Sequence, residues 1–156
     1  MAKATFGAGC FWGVEARFAQ VPGVTSTAVG YEGGNLDNPS YRDVCTDATG
    51  HAEVVEVDYD PGKVSFEQLL DLFFELHDPT QLNRQGPDWG TQYRSVVFYH
   101  SPEQEAAAKA TIARLTDEKR FRKPIVTQVV PAQTFWRAED YHQKYLETRG
   151  AVSCHI

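Results

Sequence analysis

The chain has 156 residues, one domain's worth of length, with 42% apolar and 23% charged residues; this composition excludes intrinsic disorder, collagen and coiled coil. Twenty-one acidic residues against fifteen basic ones give a net charge of −6, so no general field attracts nucleic acid or an anionic membrane surface. No apolar run approaches the ~20 residues that cross a bilayer.

In chain order, residues 3–8 predict a short strand with Ala4, Phe6 and Ala8 on one face. Gly7 and Gly9 make a tight passage into a helix over 10–20. Its core stripe is Phe11, Val14 and Phe18, at i, i+3 and i+7. Pro22-Gly23 ends that helix, and 24–31 predicts a second strand. Residues 32–43 form a Gly/Asn/Pro-rich loop, a type of segment that tends to carry function. The clearest strand is 52–59. Val55, Val57 and Tyr59 share one face there, and the same alternation puts Glu53 on that apolar face. Ser65, with Gln68 three residues later, is a capping box that opens a helix over 66–76. Residues 80–91 make a second irregular loop, followed by a strand over 93–99. Ser101, Pro102 and Gln104 then start an Ala-rich helix to about 118. A β-branched strand over 125–130, a short helix over 139–147 and a polar, mobile tail at about 150–156 complete the expectation. Strands and helices intermingle without strict alternation, which favours a two-layer α+β fold with a mixed sheet in a single domain, 1–156.

Three cysteines, Cys10, Cys45 and Cys154, are too few and odd in number for a disulfide framework, and no C-x-x-C pair suggests zinc. Residues 4–14 are uncharged and include Ala8-Gly9-Cys10. Only Lys3 precedes them and Glu15 ends them, which is not a signal peptide, so a cytoplasmic location is expected. Cys10 falls at the start of a helix, where unpaired backbone N–H groups and the helix dipole favour a thiolate. The bland alternative is a small residue filling space at that start. Glu53 is either a buried carboxyl kept protonated by desolvation or a solvated strand-end residue. Gly50-His51-Ala52-Glu53 contains the His-x-Glu of zinc deaminases, but the P-C-x-x-C they need is absent. Tyr41 and Tyr93, beside the two loops, are either hydroxyl donors to a polar substrate oxygen or core residues. Asp88 and Trp89 are equally open. Cys154 suits a resolving thiol, and Cys45 reads as buried and inert.

Together these residues resemble the A-type peptide methionine sulfoxide reductases. The resemblance runs through Gly9-Cys10-Phe11-Trp12-Gly13, Gly30-Tyr31 with Gly33-Gly34, Pro39-Ser40-Tyr41, Thr49 to Glu53, Asp78-Pro79-Thr80, Asp88, Gly90 to Ser95, and Ala138 to Gln143. It covers nearly the whole chain. It implies a two-layer sandwich on a mixed sheet, with a ferredoxin-like core, extra loops and an irregular C-terminal tail. It also implies reduction of methionine-S-sulfoxide, free or in proteins. By motif position, Cys10 is the nucleophile and Glu53 the acid that protonates the sulfoxide oxygen. Tyr41 and Tyr93 hold that oxygen, Phe11 and Trp12 wall the methyl pocket, and Asp88 stands behind them. A Cys10 sulfenic acid would pass to a Cys10–Cys154 disulfide, since only one cysteine lies near the C-terminus, and thioredoxin would reduce it. Neither metal nor organic cofactor is implied, and a monomer is expected. Two rival classes are a cysteine hydrolase or acyltransferase with His51 as base, and a non-enzymatic thiol switch.

Overall fold

The computed structural model describes residues 2–143. Strand β1 (Ala2–Ala8) buries Ala4, Phe6 and Ala8 on one face, as their alternation requires. Gly9, at φ +95°, turns the chain from β1 into helix α1 (Phe11–Ala19), with Cys10 as its N-cap. Phe11, Val14 and Phe18 form the buried stripe of α1. Strand β2 (Val24–Glu32) follows, then a short helix α2 (Tyr41–Cys45), strand β3 (Ala52–Tyr59) and helix α3 (Phe66–Glu75), capped by the Ser65/Gln68 box. A small ribbon, β4 (Arg84–Gln85) and β5 (Asp88–Trp89), and a 3-10 turn (Thr91–Tyr93) lead to β6 (Ser95–Tyr99). Helix α4 (Pro102–Asp117), strands β7 (Gln128–Pro131) and β8 (Trp136–Arg137) and a 3-10 turn (Asp140–His142) end the described chain.

The main sheet runs β7-β6-β1-β3-β2-β8. Every pairing is antiparallel except β6 with β7, so the sheet is mixed. The inner strands β6-β1-β3-β2, with α1 and α3 as crossovers, reproduce the split βαβ order of ferredoxin-like folds. Side chains of α1, α3 and α4 pack on one sheet face in a single apolar cluster. Phe6 sits at its centre, with ring centroids 5.0, 5.9 and 5.2 Å from Phe18, Phe66 and Phe73. On the other face, Val130, Ala132 and Phe135 cover Ala52, Val54, Val96 and Phe98.

The α+β reading holds, and the departures from expectation are local. Tyr41 opens α2 instead of lying in a loop, because Ser40 and Asp43 form a reciprocal capping box. Residues 80–91 contain the β4–β5 ribbon. Tyr93 ends a 3-10 turn, and the strand starts only at Ser95, where pairing with Ala8 begins. Of residues 125–130, only 128–130 join the sheet, since β7 pairs from Val96 onward. The helix expected over 139–147 is a single 3-10 turn as far as it is described. Cys154 and the expected mobile tail lie outside the described residues.

Candidate active site

Glu53 is the second residue of β3 and shares a face with Val55, Val57 and Tyr59, which places it under α1 at 1% exposure. The backbone N–H of Phe11, in the first turn of α1, donates to Glu53 Oε1 at 3.3 Å. The carboxyl therefore lies against the helix start that Cys10 caps. Cys10 itself is half-buried, its backbone at φ −54° and ψ 120°. Amide groups at such a terminus and the helix dipole favour negative charge on the sulfur.

Two hydroxyls face the same place. Burial pushes the Tyr41 hydroxyl well above its ordinary range, and the Glu53 charge adds to the shift. Burial does the same to Tyr93, with further contributions from Glu53, Cys45, Asp88 and Cys10. Both phenols thus remain protonated donors at neutral pH. Tyr93 is held in place from across the site. The Asp47 carboxylate accepts from the Thr91 N–H at 2.9 Å and from the Thr91 hydroxyl, which ties the segment after α2 to the Thr91–Tyr93 turn. Asp88 is half-buried on β5, opposite Gln85.

An aromatic wall adjoins these groups. Phe11 is buried, with Trp12 and Tyr41 at 6.5 and 6.4 Å between ring centroids. Trp12 and Tyr41 lie 6.3 Å apart, with 23° between their planes. His142 packs on all three, 5.4 Å from Phe11, 5.5 Å from Trp12 and 4.5 Å from Tyr41. The Trp12 indole N–H donates to His142 Nδ1 at 3.0 Å, so that nitrogen carries no proton. Burial lowers the pKa of His142, which suits an acceptor. Glu139 braces the other side. Its Oε1 accepts from the Tyr31 hydroxyl at 3.0 Å, and its Oε2 from the Tyr41 backbone N–H at 3.1 Å.

The structure brings Cys10, Glu53, Phe11, Trp12, Tyr41, Tyr93 and Asp88 to one end of the sheet. It corrects Cys45, which is exposed at the last turn of α2, where only Val44 is buried. The Cys45 sulfur hydrogen-bonds the Tyr41 hydroxyl, and desolvation there raises its pKa. His51 is not placed as a base for Cys10. Its Nδ1 accepts from the Gly34 N–H at 3.0 Å, and its Nε2 lies 2.7 Å from the Leu36 carbonyl, so both ring nitrogens pin the segment after β2. Among the described residues, no group of three or more His, Cys, Asp or Glu could hold a metal ion.

Residues 2–156 match the family model described as peptide methionine sulfoxide reductase. The chain belongs to the peptide methionine sulfoxide reductase family. A relative from Acidobacterium capsulatum, named peptide methionine sulfoxide reductase MsrA, is 76% identical over 156 residues and spans 100% of both chains. The crystal structure of Mxr1 from Saccharomyces cerevisiae in reduced form superposes with a TM-score of 0.90 at 36% identity, covering 96% of this chain and 86% of that one. Mxr1 in complex with Trx2 superposes with a TM-score of 0.65 at 24% identity over 92% of this chain and 84% of that one, a likeness of fold. This peptide methionine sulfoxide reductase is an oxidoreductase that uses thiol chemistry to reduce methionine-S-sulfoxide to methionine.

Reading the sequence of this reductase residue by residue missed Glu139, His142 and Asp47. Ala138 to Gln143 entered only as a family marker. The one local signal was a carboxylate followed closely by Tyr141 and His142, in a stretch too polar for a core strand.

Proposed function

We propose that Cys10 is the nucleophile and Glu53 the proton donor of this reductase. The observation that carries this is the Glu53 carboxyl, buried against the α1 terminus that Cys10 caps. The Cys10 thiolate attacks the sulfoxide sulfur, and the oxygen takes up a proton. The hydroxyl passes from the substrate sulfur to the Cys10 sulfur: a new S–O bond forms on Cys10 as the S–O and S–S bonds to the substrate sulfur break, methionine leaves with its lone pair restored, and Cys10 is left as a sulfenic acid. The buried Glu53 carboxyl, in its protonated form, supplies that proton. Tyr41 and Tyr93 donate hydrogen bonds to the oxygen as charge builds on it, and Asp88 supports Tyr93. Phe11 and Trp12 take the methyl group.

Cys154 then attacks the sulfenic sulfur. A Cys10–Cys154 disulfide forms and water leaves with the hydroxyl. Thioredoxin returns two electrons to that disulfide; the complex of Mxr1 with Trx2 supports this choice of reductant. The chain acts as one domain and as a monomer in the cytoplasm, without a cofactor. No helix of the described residues is long and apolar enough to cross a membrane.

The test incubates wild type and Cys10→Ser with each sulfoxide epimer and dithiothreitol and measures methionine. Wild type forms it from the S epimer, while the variant forms none, because a hydroxyl is a far poorer nucleophile at neutral pH. Turnover by a folded Cys10→Ser protein above about one per cent of wild type removes Cys10 from the role.

A further inference from the structure

A cavity of about 860 Å³ opens between α1, the end of α3, the β4–β5 ribbon and residues 120–123. Arg17, Arg84, Arg120, Arg122 and Lys123 line it, against the carboxylates of Glu75 and Asp78. Asp78 is already engaged by the Thr80 N–H and hydroxyl at 3.0 and 2.6 Å. None of the ion pairs among the described residues uses any of the five cations. Five positive charges against two negative ones, in a protein of net charge −6, repel one another across a concave wall, and an anionic occupant relieves that repulsion. Leu82, 67% exposed, and the half-buried Phe121 add apolar surface, which suits a peptide better than a bare inorganic ion. Residues 144–156 of this chain carry Lys144 and Arg149 against Glu147, so they bring no negative excess.

The cavity borders the sulfoxide site through the ribbon. Arg84 and Gln85 line the cavity and pair with Trp89 and Asp88. The Arg84 guanidinium stacks 4.1 Å from the Trp89 ring centroid. On the other strand, the Asp88 charge is felt at the Tyr93 hydroxyl. An extended peptide advances ~3.3 Å per residue, so a side chain three to five residues from the sulfoxide lies roughly 10–17 Å along it.

We propose that this cavity binds acidic side chains of the protein substrate, three to five residues from the oxidised methionine. The accompanying placement of the sulfoxide beside Cys10 rests on the reading above. Fluorescence anisotropy of labelled peptides, each with one methionine sulfoxide flanked by either Glu or Lys at those positions, measures docking on the whole chain. Methionine formation from the same peptides and from N-acetyl-methionine-S-sulfoxide measures turnover. The Glu peptide binds roughly five- to thirtyfold more tightly than the Lys peptide at low salt, and the gap closes at about 0.5 M salt. Replacing the exposed Arg120 and Arg122 together by Glu inverts the preference, while turnover of the free amino-acid derivative stays within about twofold. Equal binding of both peptides by wild type, or an unchanged preference in the double variant, overturns the proposal. Equal affinity for the Glu peptide and for a short oligonucleotide of the same charge overturns it too, since charge alone is then being read. Docking that persists while no substrate yields methionine condemns the assignment of the Cys10 site instead.

Discussion

Replacing Glu53 by Gln removes one proton from the site and almost nothing else. The side chain is 1% exposed, and its Oε1 accepts from the Phe11 N–H at 3.3 Å. A glutamine carbonyl oxygen takes over that bond in the same volume, so the helix start should keep its position and the protein its fold. What the amide lacks is a proton to give as the S–O bond of the sulfoxide breaks. A positioned acid contributes about 10²–10⁴-fold in rate, equivalent to ~2.7–5.5 kcal/mol of transition-state stabilisation. The residual rate rests on Tyr41 and Tyr93. Burial, more than the Glu53 charge, holds both hydroxyls above their ordinary range, so they stay protonated, and the pH dependence left in the variant is that of the Cys10 thiol. Single-turnover formation of methionine from N-acetyl-methionine-S-sulfoxide measures the loss. Alkylation of Cys10 by iodoacetamide, unchanged within about threefold, shows that the thiol is still competent. A variant that keeps wild-type turnover at every pH refutes the argument, because a buried carboxyl at that helix start would then be structural.

His142→Phe preserves the ring packing on Phe11 and Tyr41 but takes away the acceptor for the Trp12 indole N–H. It should cost about 1–3 kcal/mol of stability and raise KM more than it lowers kcat, with a shift in tryptophan emission marking the loosened indole. Glu32, buried on the other sheet face and bonded to the Gln133 N–H, has its pKa raised to about 7, chiefly by burial. A raised carboxyl contributes stability at low pH that is lost as pH rises from about 4.5 to 7. Denaturant titrations should therefore show a decline of roughly 3 kcal/mol over that window in wild type and little of it in Glu32→Gln. Cys154→Ser should release about one methionine per protein without added thiol, leave Cys10 as a sulfenic acid detectable by dimedone, and lose thioredoxin-driven turnover. Cys45→Ser, whose hydroxyl can keep the contact with Tyr41, should stay within about twofold of wild type. Thiol counting that finds Cys45 consumed and Cys154 intact would assign the resolving role to Cys45.

Much of the architecture is local and is written in neighbouring residues. The Val55/Val57/Tyr59 alternation places Glu53 on the core face, because side chains of a strand alternate by geometry alone. Ser65 with Gln68, and Ser101 with Pro102, mark helix starts, since the orphan N–H groups need those acceptors. Cys10 lands on a helix terminus because Gly9 can turn the chain there. The Ser40/Asp43 box that starts α2 was equally local. It was obscured by the Gly, Asn and Pro residues before it, which read as an unbroken loop. Other features could not be found this way. The partners of Trp12 and Tyr41 lie 130 and 98 positions away, at His142 and Glu139. No periodicity relates residues so distant; only the antiparallel addition of β8 beside β2 carries the segment after it back over α1. The exposure of Cys45 has the same origin. A cysteine in a five-residue helix is buried or not according to what packs on that helix, and here Val44 and, in part, Tyr41 face the core while Cys45 does not. Local propensity chose the elements and put the nucleophile at a helix start, while long-range packing chose which distant polar groups brace the site, because burial and hydrogen-bond satisfaction are settled only once the sheet has assembled.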